Sequence, residues 1–150
     1  PPALGDLMWV RETWALAKWD GDRLTPVLGS ANHNKDATPL YKQNRDHARM
    51  WKAGWRRPPS MPRWASRITL EVVSVYTQWL QDITDAEAIA EGVPEVDLLN
   101  LNPKESTPVA RFAKQWREQY GPLAWDNNPQ VYVLEIKTHT KNIDALLEGG

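Results

Sequence analysis

Cysteine is absent from the 150-residue chain. That one absence excludes disulfides, thiolate metal sites and a cysteine nucleophile, and it fits a reducing cytoplasm as the expected compartment. No apolar run approaches the roughly 18 residues that cross a bilayer, so no membrane helix is expected. The first residues lack a charged-then-apolar segment, so no signal peptide is expected either. Net charge is nearly missing, at −1, and phenylalanine occurs once. The histidines, His33, His47 and His139, are scattered. They lack the Asp/Glu/His spacing that sets ligands on one helix face, so neither a metal nor a cofactor is expected. There is no Gly-x-Ser-x-Gly elbow, no P-loop and no Gly-x-Gly-x-x-Gly, and hence no catalytic machinery of a common type. Internal repeats and low-complexity tracts are also lacking.

Against these absences stand nine tryptophans and twelve prolines, the latter above the roughly 5% average. Hydrophobic residues at 41% and charged residues at 25% are ordinary for a globular protein, and the length fits one domain. The small net charge hides an asymmetry. Residues 42–67 hold Lys42, Arg45, Arg49, Lys52, Arg56, Arg57, Arg63 and Arg67 against Asp46 alone. Residues 82–105 hold seven acids against Lys104. A basic block in a neutral chain points to an anionic partner. The alternatives are that the two segments face each other or are simply solvated.

Residues 7–11 read as a short strand after the Gly5-Asp6 turn, and residues 13–19 as a second one. From Asp20 to Ser60 periodicity fails. The stretch reads as a long insertion with at most a short strand near residues 40–42. Residues 67–79 are the clearest strand, with Ile68, Leu70 and Val72 alternating before the phase shifts at Val73, which predicts a bulge there. Thr84-Asp85-Ala86-Glu87 is a capping box opening a short helix that Gly92 closes. Thr107 and Pro108 start a longer helix with Val109, Phe112, Ala113, Trp116 and Tyr120 on one face, ended by Gly121-Pro122. Residues 131–137 read as a strand that burial on both faces would suit. The expected architecture is α+β with a small, mostly antiparallel sheet or barrel. It occupies residues 1–138 as a single domain, followed by a polar tail at 139–150 that is weakly helical and frays.

Two clusters interleave tryptophan with arginine: Trp9-Val10-Arg11-Glu12-Thr13-Trp14, and Arg63-Trp64-Ala65-Ser66-Arg67. Bases stacked on aromatic rings with guanidinium groups on phosphates are a common way to hold single-stranded nucleic acid and flipped nucleotides. Core packing is the commoner use of tryptophan, and it is the expectation for Trp79 and Trp116. For Trp9, Trp14 and Trp64, each beside an arginine and a turn, both readings stand.

These residues resemble a known family. Gly-Asp-Leu-Met-Trp-Val-Arg-Glu-Thr-Trp at 5–14 and Met-Pro-Arg-Trp-Ala-Ser-Arg-Ile-Thr-Leu-Glu-Val at 61–72 resemble the phage and prophage branch of the ASCH-domain family. Leu-Gln-Asp-Ile-Thr at 80–84, Ala-Ile-Ala-Glu-Gly-Val at 88–93 and Trp-Asp-Asn-Asn-Pro at 125–129 follow the same pattern. The resemblance covers about residues 4–137, with 20–60 loosely matched. It implies a PUA-like β-barrel with flanking helices and a cleft for RNA or modified nucleosides. It also implies a cytoplasmic setting in a bacterial or phage-infected cell. Some small members are amidohydrolases that deacetylate 4-acetylcytidine with a lysine and a threonine from a Gly-x-Lys-x-x-Thr-x-Arg stretch and a glutamate. That glutamate corresponds to Glu91. The lysine and threonine have no counterpart here, since their motif precedes the Gly-Asp turn and would lie upstream of Pro1. The barrel's first strand would be missing with it, leaving an edge that needs cover.

Three functional readings follow. The first is binding of RNA, single-stranded nucleic acid or a modified nucleoside. Arg11, Arg63 and Arg67 would hold phosphate or carbonyl oxygens, Trp14 and Trp64 would stack, Glu12 would line the site, and Glu91 would accept from a base amine. The second is hydrolysis of an acylated cytidine-like nucleoside with Glu91 as acid–base. The third is a phage assembly protein that presents tryptophans to a protein partner. Binding ranks ahead of catalysis because half of the family's catalytic motif is absent.

Overall fold

Trp14, Ala15, Leu16 and Ala17 are consecutive and all buried. Such a run suits a strand covered on both faces, whose successive side chains feed two different cores. The computed structural model describes residues 1–27, 36–51, 54–95 and 102–149. His33, Lys52 and Asp97 lie outside them, as does part of the 20–60 insertion. The described chain forms two compact units, Pro1–Val73 with Ile136–Gly150, and Ser74–Glu135.

In the first unit β1 spans Leu7–Trp9, and β2 (Trp14–Asp20) is the centre of a three-stranded antiparallel sheet. On one side lies β3 (Arg23–Pro26), paired from Ala17↔Pro26 to Asp20↔Arg23 across a turn where Gly21 takes φ +63°. On the other lies β4 (Thr38–Tyr41), paired from Trp14↔Tyr41 to Ala17↔Thr38. Alternation along β2 then sends Trp14 and Leu16 into a cluster with Ala37, Tyr41, Met61 and Ala65. Ala15 and Ala17 go the other way, onto Leu40 and Trp51. Helix α1 (Arg45–Met50) starts at Asn44, whose side chain accepts from the Asp46 and His47 amides, and it ends at the buried Trp51. His47 Nδ1 accepts from the Tyr41 amide at 3.0 Å, which ties α1 to β4.

The 20–60 stretch is therefore more ordered than the sequence patterning led us to expect. It contains β3 and α1 besides the anticipated strand near residue 40. Neither carries a long periodic signal, because four and six residues are too few to show one.

The second sheet has the order β1-β5-β6. Strand β5 covers Thr69–Trp79 and strand β6 covers Gln130–His139. Leu7↔Glu71 and Trp9↔Thr69 fix the antiparallel β1–β5 register. His139 Nε2 lies 2.7 Å from a Glu71 carboxylate oxygen. Contrary to expectation, β6 is not buried on both faces: most of its residues are exposed. The expected α+β class holds, and among the described residues the strands form two three-stranded sheets and no closed barrel. The tail contains a short helix. Helix α4 (Ile143–Glu148) is capped by Asn142, buries Ile143 and packs against β1.

In the second unit α2 (Asp85–Ala90) opens on the expected capping box, with Thr84 and Glu87 bonding reciprocally. The expected longer helix is α3 (Pro108–Tyr120), capped by Thr107 and stopped at Gly121, φ +107°. Its apolar face, with Val109, Phe112, Ala113 and Trp116, packs on Leu80, Trp125 and Val131. Trp116 thus fulfils its expected core role. Trp79 does not, being 51% exposed. Arg111 is buried without a carboxylate partner among the described residues. Its terminal nitrogens donate to the carbonyls of Pro94, Glu95, Glu105 and Ser106 at 2.6–3.0 Å, while its Nε has no partner among the described residues.

Candidate functional site

The two tryptophan–arginine clusters meet in the first unit. The Val10 amide donates to Ile68 O at 2.9 Å. The Ser66 hydroxyl lies 2.9 Å from Val10 O and 3.1 Å from Ile68 O, and donates to one of them at a time. The Ser66–Val10 bond bridges positions 56 residues apart in the chain. Alongside, Lys42 N donates to Thr13 O, and Trp14 and Arg56 exchange main-chain hydrogen bonds at 2.7 and 3.2 Å. Segments 10–14, 41–42, 56–57 and 66–68 therefore run side by side.

At their centre is Glu12, only 6% exposed. A buried carboxylate needs a partner, and Arg67 supplies a bidentate one, Nε to Oε2 at 2.9 Å and Nη2 to Oε1 at 2.8 Å. The Arg67 guanidinium also lies over the Tyr41 ring, 4.4 Å from its centre, and Tyr41 donates its hydroxyl to Ala65 O at 2.6 Å. The hydrogen bonds that Arg67 donates to Glu12 hold its guanidinium above its ordinary pKa. Burial holds the Tyr41 phenol above its own, with Arg67 opposing. The result at neutral pH is a closed ion pair beside a neutral phenol. Arg67 and Glu12 are thus committed to one another, which suits them to positioning the four segments rather than to gripping a ligand.

Trp14 has no face to offer. It is 0% exposed, its indole N–H donates to Ser60 Oγ at 3.1 Å, and Arg56 lies 5.2 Å from its ring centre. Its neighbours in the two clusters are more open. Arg11 is exposed and lies 4.6 Å over the ring of the half-buried Trp9. Trp64 is 42% exposed. It sits in the 3-10 turn Arg63–Ala65, anchored by the buried Ala65 and by Asn142, whose side-chain amide reaches the carbonyls of Arg63, Trp64 and Ser66. Arg63 pairs with Asp144 at 2.7 Å, both about half exposed. Such an exposed surface pair contributes little to stability. Glu91 belongs to the second unit, where it caps the C-terminal end of α2 with its side chain exposed.

Sequence reasoning missed Tyr41 and Asn142. Asn142 could have been found as an Asn directly before Ile-Asp-Ala-Leu-Leu, a helix start. Tyr41 had no signal, since its role depends on the partner that β-pairing brings to it. The basic block gains a location: Lys42, Arg45, Arg49 and Arg57 are exposed, and none forms an ion pair among the described residues. Nor do the described residues contain a group of His, Asp and Glu able to hold a metal. Comparison with family models, with curated proteins and with solved structures finds no match to this chain.

Proposed function

We propose that the first unit binds RNA or another single-stranded nucleic acid on the surface carrying Trp9, Arg11, Arg63 and Trp64, with a modified nucleoside as the smallest ligand those groups would hold. The observation that carries this reading is the convergence of two tryptophan–arginine clusters through main-chain hydrogen bonds. In this reading Trp64 stacks on a base, and Arg11, already ordered against Trp9, takes a phosphate. Arg63 exchanges Asp144 for a second phosphate. Lys42, Arg45, Arg49 and Arg57 supply the sequence-independent attraction that brings a polyanion to the surface. Glu12 and Arg67 fix the segments that hold these groups. The two sheets are read as belonging to a PUA-like barrel that lacks its first strand, the fold the ASCH resemblance implies. The exposed setting of Glu91 favours binding over hydrolysis, because a general base acting on an acyl group works in a dry, perturbed site.

The test is a titration of the intrinsic tryptophan fluorescence with single-stranded RNA, single-stranded DNA and 4-acetylcytidine at two salt concentrations. Quenching by an oligonucleotide is expected. Its affinity should fall with salt, by a log–log slope of about −0.7 for each phosphate neutralised. No response, or a response indifferent to salt, would overturn the proposal.

A further inference from the structure

Among the described residues strand β6 is an edge: it has β5 on one side and no strand on the other. It is ten residues long, and no loop or turn among the described residues bonds to its main chain. Alternation puts Tyr132, Leu134, Ile136 and Thr138 on one face, and Val131, Val133, Glu135, Lys137 and His139 on the other. The first face is unusually open for its chemistry, with Tyr132 58% and Ile136 43% exposed. A strand of this length with free N–H and C=O groups is a template for another strand.

Charged residues on an edge ordinarily ward off pairing. Here Glu135 and Lys137, both exposed, flank Ile136 with opposite sign. They repel an arbitrary strand but match a second copy of this one. We propose that β6 pairs antiparallel with β6 of a second copy, about a two-fold axis through Ile136.

In that register Ile136 meets its symmetry mate, Glu135 lies opposite the partner's Lys137, and Lys137 lies opposite the partner's Glu135. Leu134 lies opposite the partner's Thr138, so each face continues across the junction. Neighbouring registers fail. An axis through Glu135 or Lys137 sets like charges against each other, which destabilises a cross-strand pair. An axis through Leu134 leaves both charges facing valines. The contact is isologous and closes on itself, so it yields a dimer with one six-stranded sheet rather than a filament. It does not depend on the nucleic-acid reading.

The experiment is sedimentation equilibrium of the full chain over a dilution series, with circular dichroism to verify folding. The unaltered chain should show a reversible monomer–dimer equilibrium. Glu135→Lys alone and Lys137→Glu alone should each weaken it by about tenfold or more, since two attractive pairs become repulsive. An equimolar mixture of these two single variants should recover dimer, because each supplies the charges that the other needs. The double variant Glu135→Lys/Lys137→Glu should also recover it. A chain monomeric at every concentration would overturn the proposal. So would a dimer indifferent to both single reversals, or variants that stay monomeric when mixed.

Discussion

Trp14 and Trp64 occupy similar settings in the sequence, each in a cluster with arginine and near a turn, yet the fold buries the first completely and leaves the second 42% exposed. Trp14→Ala removes a fully buried ring and should cost about 3–5 kcal/mol of stability. Trp64→Ala should leave the melting temperature nearly unchanged while reducing oligonucleotide affinity by about 1–3 kcal/mol. Thermal melts and titrations of both variants separate the two roles. The Glu12–Arg67 pair has its own signature. Removing one partner of a fully buried pair costs about 3–5 kcal/mol. Arg67 retains 35% side-chain exposure, so Arg67→Ala should fall at or below the lower end of that range. Arg67→Lys should recover only part, because an ammonium cannot bond both carboxylate oxygens in a fork. Urea unfolding of these variants is the measurement. Composition and spacing were enough to nominate Arg11, Arg63 and Trp64. They could not show that Arg67 is already occupied, since its partner is 55 residues away in the chain.

Helices marked by local signals at both ends were legible; short elements held by distant neighbours were not. Helices α2 and α3 were read from Thr84, Glu87, Thr107, Pro108 and Gly121 because capping is local chemistry. Strand β3 and helix α1 were missed because they exist through pairing with β2 and through the burial of Trp51. The exposed character of β6 was missed for a related reason: an apolar run does not reveal which of its faces finds a cover. The α2 cap makes a pH prediction. Hydrogen bonds from the Thr84 amide, and next from its hydroxyl, hold the Glu87 carboxyl below the ordinary glutamate range. A depressed carboxylate contributes stability above its unfolded pKa and loses it as pH falls through the folded value. Glu87→Ala should therefore destabilise the protein by about 0.5–1 kcal/mol near neutrality. The difference should vanish once the pH has passed below the depressed value. Melting curves of both proteins from neutral to acid pH measure it.

Charge is divided between the two units. The first holds fourteen basic and nine acidic residues, and the second four basic and ten acidic, or +5 against −6. The proposal therefore localises the salt dependence. Arg45→Ala with Arg49→Ala should reduce the log–log slope of oligonucleotide binding by up to about 0.7 per residue. Lys104→Ala with Arg117→Ala, in the second unit, should leave it unchanged. Paired titrations over a salt series check both. The first unit is also discontinuous, and Asn142 makes that matter. It holds the carbonyls of Arg63 and Trp64 from 79 and 78 residues further along the chain, and Asp144 holds the Arg63 guanidinium across 81. A ribosome adding about 5–20 residues per second thus leaves that turn without its clamp for several seconds. The surface proposed to hold nucleic acid is complete only once residue 144 has been made, so a nascent chain stalled before residue 142 has both tryptophan–arginine clusters but lacks the Asn142 and Asp144 contacts to the second.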